Sequence, residues 1–292
     1  MASTNTNQVN LLEKSITSSI MAIAQTGASV AARANLFQSN GSTKFIADMG
    51  NSAATIVAEM ASVSTSDINL KEVNFRQKRM ASAIEVTRDA ADNAAVSLPA
   101  HVSSLLANRV MLGIEAQMFN TGDKDGATGL QNIVLHNTST TAKLEDIGVK
   151  TAASATVVTY QELMDTVAIL TKQPENVEGA IWVVEDIAKF SAVKDTANRN
   201  VLTFDALPAG AIGRVLGIPV YKTPAFTAGQ KVAAILMNPA KAYGVSVAQS
   251  ADVQQIKGDT IQELKQSSVF LGEVYVDGKV INPRAIAMLK FL

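Results

Sequence analysis

Residues 99–120 constrain this chain more than any other stretch, because they read as one uninterrupted helix. Pro99 suits a first helical turn, where its missing N–H is not needed, and Gly122 follows at the place of a left-handed cap. Between them Val102, Leu105, Leu106, Val110, Ile114 and Met118 recur at three- and four-residue steps, the stripe of a helix packed along one face. At a rise of about 1.5 Å per residue the rod is roughly 33 Å long, which predicts an elongated fold.

Only 17% of the 292 residues are charged, against about 25% in an average soluble protein, and a surface short of charge predicts burial against other chains. The net charge of -1 gives no general attraction for phosphate. With no cysteine and only His101 and His136, thiol chemistry and zinc–thiolate sites are excluded, and neither a metal nor a cofactor is expected. No paired carboxylate or Ser–His spacing stands out, so the chain reads as a non-enzyme. The apolar run at residues 16–34 is interrupted by Gln25, Thr26, Ser29 and Arg33. It is too broken for a membrane span and reads as an amphipathic arm, with Leu12, Ile16, Ile20 and Ile23 on one face, rather than as a signal peptide.

Residues 55–60 and 68–75 read as two strands of a projecting hairpin around a polar turn at 62–67, with a bulge where Ile68 and Leu70 give way to Val73 and Phe75. An isolated hairpin is marginal in water, so this one is expected to lie on something. Its candidate contact residues are Glu59, Met60, Ile68, Leu70, Lys71, Phe75, Arg76, Lys78 and Arg79. The charge run Lys71, Arg76, Lys78 and Arg79 fits ion pairs to a neighbouring subunit, a nucleic-acid contact or a solvated strand face.

The sequence Gly122-Asp123-Lys124-Asp125-Gly126 starts like a calcium loop but has Ala127 where a third ligand belongs, so it reads as a glycine-rich turn. Thr159 and Glu162 form a capping box ahead of Leu163, Val167 and Leu170, a helix that Pro174 ends. Residues 180–184 form a continuous apolar run, a central strand covered on both faces, with Trp182 in the core. A short helix at 185–193 and strands at 216–220 and 232–237 complete a mixed α/β unit over residues 154–249. Gly210, Gly213 and Gly217 lack dinucleotide-binding spacing and read as turn residues. Asp277-Gly278 signals a tight hairpin between Phe270, Val274 and Val276 on one side and Val280, Ile286 and Leu289 on the other, a final sheet expected to pair with the rod helix.

In this order the features resemble the major capsid protein of tailed double-stranded DNA bacteriophages, the Hong Kong 97-type fold. The resemblance rests on Val57-Ala58-Glu59 with Ser66-Asp67, Asn108-Arg109 with Met111 and Gly113, and Gly122-Asp123 with Gly129-Leu130. It continues through Trp182-Val183-Val184, Lys194-Asp195, Arg199, residues 216–220, and Pro283 with Ala285. It implies an α+β fold with an N-terminal arm (1–40), an extended β-hairpin loop with flanking strands (41–87), and a peripheral domain with a spine helix (88–135). An α/β axial domain (136–255) and peripheral C-terminal strands (256–292) follow. It further implies self-assembly as pentamers and hexamers into an icosahedral shell enclosing double-stranded DNA, without sequence-specific binding and without a membrane. The implied place is the virion, assembled in the host bacterial cytoplasm, with a portal as partner. Val63 stands where cross-linking members carry a loop lysine, so isopeptide cross-linking is not implied. The roughly 50 residues ahead of the loop are too few for a fused scaffolding segment, so a separate scaffolding protein is expected. A bacterial nanocompartment shell of encapsulin type, and a secreted filament or surface-layer protein, are the alternatives.

Overall fold

The computed structural model describes residues 30–39, 42–48, 56–57, 70–87, 89, 98–138, 147–172, 176–226, 231–247, 252–256 and 264–292. A 3₁₀ turn at Ala31–Arg33 leads into strands β1 (Asn35–Gln38), β2 (Thr43–Asp48), β3 (Leu70–Phe75) and β4 (Lys78–Thr87). Helix α1 (Leu98–Ala116) continues into a π-helical turn at Gln117–Thr121, and α2 (Ile133–Thr138) and β5 (Gly148–Thr151) follow. Next come α3 (Tyr160–Thr171), β6 (Ile181–Val184), α4 (Ala188–Ser191), β7 (Leu202–Thr203), β8 (Gly213–Val215) and β9 (Ile218–Lys222). The chain closes with β10 (Val232–Met237), α5 (Pro239–Ala242), β11 (Tyr243–Val247), β12 (Asp252–Ile256), β13 (Ser267–Val280) and β14 (Ile286–Lys290).

The rod helix forms as expected, with Val102, Leu106, Val110, Ile114 and Met118 buried at four-residue steps. Leu105 does not join them: it remains 38% exposed, because its position falls about 100° around the helix from Leu106. Gly122 is not a left-handed cap but extended, with φ −66° and ψ 171°. Its N–H donates to the Gln117 carbonyl at 2.8 Å, the five-residue step of the π turn. A Cβ there would lie 2.2 Å from the carbonyl oxygens of both Gln117 and Leu130, so crowding, not dihedral angle, demands glycine.

Helix α1 lies against a five-stranded sheet organised on β13. Strand β4 pairs antiparallel along one side of β13, and β12 and β11 share the other, with β1 parallel to β11. Met80, Ile84 and Val86 of β4 pack on the core under the helix, and Met80 sulfur would touch a Cβ at Gly113 at 3.3 Å. Residues Asp277 and Gly278 do not turn. Strand β13 runs straight through them, and the expected hairpin is absent. Asp277 spends its turn-forming carboxylate on the Arg76 N–H, and Gly278 admits the Tyr243 hydroxyl and Leu130, which would sit 2.7 and 2.9 Å from a Cβ.

The seven-stranded sheet has the order β5-β14-β10-β6-β9-β8-β7. Strands β6 and β10 are buried at every residue, as the apolar runs predict. Alternate side chains serve two cores. Ile181, Val183, Ile235, Met237, Ile286 and Met288 face the core shared with α1, while Trp182, Val184, Leu236, Ala287 and Leu289 face that of α3. Thr159 and Glu162 make the predicted capping box at the start of α3. The last strand departs from expectation: β14 joins this sheet, between β5 and β10, instead of the sheet under the rod helix. Leu216 and Gly217, at φ 54° and 79°, are the turn of a β8–β9 hairpin and not strand residues. Gly213, expected in a turn, lies within β8.

Candidate assembly surface

Strand β3 falls within residues 68–75 and pairs with β2; of its expected partner at 55–60, all but residues 56 and 57 lie outside the described residues. Thr43 to Asp48 pair antiparallel with Phe75 to Leu70. Thr43, Phe45 and Ile46 favour extended backbone, and that signal would have found the strand. Residues 56 and 57 are described and are not in a strand.

On one face of this ribbon Ile46 lies opposite Glu72, and Glu72 pairs with Lys44 at 2.7 Å. Ile46 is 64% exposed there. Phe45 lies opposite Val73 on the other face and is 37% exposed. The Lys44 ammonium and the Asn74 side chain hold the Glu72 carboxyl below its usual range. A two-stranded ribbon that shows a large aliphatic side chain to water, next to an ion pair, has the composition of an interface rim with an apolar anchor.

The root of the ribbon is fixed to the body. Phe75 is fully buried, its ring 5.2 Å edge-on from Phe37, in a small cluster with Val73 and Ile281. Residues Arg76 and Gln77 join β3 to β4. The Arg76 N–H donates to Asp277 Oδ2 at 2.6 Å, and Gln77 Nε2 donates to the Ser39 carbonyl at 2.8 Å and to Ser246 Oγ at 3.0 Å. At the start of β2, Thr43 Oγ1 donates to Ser39 Oγ at 2.6 Å. Both strands therefore leave from one knot on β1, β11 and β13.

The candidate contact residues separate on this frame. Glu59, Met60 and Ile68 lie outside the described residues. Leu70 and Lys71 sit on β3 opposite Asp48 and Ala47. Phe75 is core of its own chain and has no surface to offer a neighbour. Arg76 and Lys78 are exposed. Arg79 pairs with Glu273 of its own chain, which raises the guanidinium further above its usual value. Beyond the ribbon, Leu105 and Leu112 stand exposed on the outer side of α1, with Arg109 between them donating to the Ala83 carbonyl at 3.1 Å. In the turn after α1, Asp123 turns its carboxylate onto the amides of Ala127 and Thr128 at 3.0 and 2.7 Å and onto the Thr128 hydroxyl. Burial raises its pKa, but these bonds more than offset it and hold the carboxyl below its usual range.

The profile of the phage capsid family matches residues 9–291, nearly the whole chain. The chain belongs to the phage capsid family. This capsid protein shares its fold with the capsid of an empty GTA particle (TM-score 0.71, 17% identity, covering 90% of this chain and 89% of that one). It is likewise similar to a chain of Mycobacterium phage Adephagia (TM-score 0.60, 12% identity, 91% and 90% covered) and one of Gordonia phage Cozz (TM-score 0.56, 13% identity, 91% and 86% covered). No curated protein matches it. The resemblance to the tailed-phage major capsid protein therefore holds, and the capsid protein is a structural component of the virion. The nanocompartment and filament alternatives are not favoured. Among the described residues, no helix is long and apolar enough to cross a membrane.

Proposed function

We propose that this capsid protein closes into an icosahedral shell of pentamers and hexamers around double-stranded DNA, and that the β2–β3 ribbon of each subunit lies over its neighbour. In this reading α1 with the five-stranded sheet is the peripheral part, and the seven-stranded sheet is the axial part that meets its copies at the symmetry centres. The observation that carries it is Ile46, a large aliphatic side chain held out in water on a ribbon whose root is hydrogen-bonded to the body. Its environment is complete only when another surface covers it. Leu70 and Lys71 on β3 and Arg76 and Lys78 beyond its end are contact candidates, with Glu59, Met60 and Ile68 ahead of β3 in the sequence. The many modest contacts of a closed shell add through multivalency. The net charge of -1 fits a shell into which the genome is driven by a packaging motor at the portal, with scaffolding supplied as a separate protein.

The test is negative-stain electron microscopy with sedimentation velocity on the protein expressed with its scaffolding partner. Closed polyhedral particles are expected from the wild type. Ile46→Lys is expected to give folded capsomers or subunits and no closed shells; normal shells from that variant would overturn the role assigned to the ribbon.

A further inference from the structure

The joint between β3 and β4 holds a carboxylate in an unusual position. Asp277 is fully buried, its Oδ2 takes the Arg76 N–H, and its Oδ1 has no hydrogen-bond partner among the described residues. Asp277 lies near the C-terminal end of the long strand β13, opposite Ser246 of β11, at the place where the ribbon turns into the body. The other ties of the joint, from Gln77 and Thr43, are neutral and do not titrate in the ordinary range. A buried carboxylate with one bare oxygen is costly as an anion and comfortable as an acid. Opening the joint by a few ångströms would let water reach that oxygen.

We propose that Asp277 is a proton-operated latch for the β2–β3 ribbon: the protonated carboxyl keeps the ribbon root seated against β13, and the carboxylate favours a root opened to water, free to swing about Arg76 and Gln77. This goes beyond shell formation to how the ribbon is set, and it concerns the subunit alone.

The charges around the group bear on the sign. Burial is the largest influence and raises the Asp277 pKa; the amides of Arg76 and Gly278 and the Lys279 ammonium oppose it, and Asp123, from the turn after α1, adds to it, leaving the carboxyl at about 6. Tyr243 on β11 faces Asp277 as a neutral phenol, its hydroxyl donating to the Gln131 carbonyl and its pKa pushed well up by burial. On β4, Lys78 stands opposite Val276 with its side chain exposed, and the Arg76 side chain is exposed as well. The ordinary value is 3.8, so the seated state holds its proton more tightly than the open one. Seating is therefore strongest below that value and weakens as pH rises through the seated pKa, by up to about 100-fold in the seating equilibrium.

Amide hydrogen exchange on the full-length unassembled chain tests this, read at residues 75–78 near pH 5 and pH 8 and corrected for intrinsic rates. Protection in the wild type is expected to fall by about 10- to 100-fold at the higher pH, with β6 unchanged, while Asp277→Asn, which keeps the shape and cannot titrate, shows no pH dependence. An unchanged wild type, or the same fall in Asp277→Asn, would overturn the latch. A carboxyl-carbon NMR titration of wild-type Asp277 decides the matter independently of the variant's folding: a midpoint near 6 supports the latch, and one near 4 overturns it. Both readouts lie inside the subunit, so they stand or fall separately from shell assembly.

Discussion

The seven-stranded sheet and the β2–β3 ribbon are built from the same kind of paired strand, yet the centre of the sheet is covered by its own chain whereas, among the described residues, the ribbon is not. Strands β6 and β10 bury every residue, whereas the ribbon shows Ile46 and Phe45 to water and, among the described residues, is held at its root. A two-stranded ribbon of this length has too little apolar face to stand alone. With the ribbon in its proposed role, the difference separates what the chain needs in order to fold from what it needs in order to assemble. Substitutions in the sheet should be read in subunit stability, and substitutions on the ribbon in the particle.

The largest effect should come from Trp182. Its side chain is fully buried on the α3 side of β6, 6.1 Å from the Phe190 ring. Trp182→Ala is expected to cost about 3–5 kcal/mol, seen as a large fall in melting temperature of the unassembled subunit. A melt that did not move would break the comparison at its stable end.

A smaller effect belongs to the start of α3. Thr159 accepts the Glu162 N–H at 3.4 Å, and Glu162 returns its carboxylate to the amides of Thr159 and Ala153 at 2.8 and 2.7 Å. Thr159→Ala is expected to cost about 1 kcal/mol in denaturant unfolding. Burial raises the Glu162 pKa, but the amides and the nearby Lys150 outweigh it and hold the carboxyl below its ordinary 4.5. A depressed folded-state pKa contributes stability that is full above that ordinary value and is lost as pH falls through the folded one. The cap therefore weakens in acid while the Asp277 joint tightens, and a pH series on the two variants should separate them.

These two regions were also unequally legible in the sequence. The centre of the sheet announced itself because β6 and β10 are short, wholly apolar runs and α3 carries a capping box, signals that depend only on near neighbours. The ribbon did not, since β2 follows a polar joint and its partner lies more than twenty residues on. Asp277-Gly278 misled for a related reason: in isolation the pair favours a turn, but here the carboxylate serves Arg76 and the glycine makes room for Tyr243, both set by distant parts of the chain. The placement of β14 beside β10 was equally invisible, because Ile286, Ala287, Met288 and Leu289 are all buried and carry no alternation to say which sheet they join. Of the proposed assembly surface, strand β3 was legible, while the exposed Ile46 on β2 was not.

The smallest effect is the sharpest test of the comparison. Ile46→Lys places an ammonium directly opposite Glu72, on a face already carrying Lys44, so the isolated ribbon loses little aliphatic contact and gains a cross-strand partner. Because Ile46 is 64% exposed in the free subunit, its melting free energy is expected to stay within about 0.5 kcal/mol of wild type. The same charge carried into an apolar contact with a neighbour would have to be desolvated at every copy of that contact, and a closed shell repeats it many times. A variant that melts like the wild type yet forms no particles locates the defect between subunits. A variant that melts early would instead place Ile46 among the residues the chain needs for its own fold, and the division between sheet and ribbon would have to be redrawn.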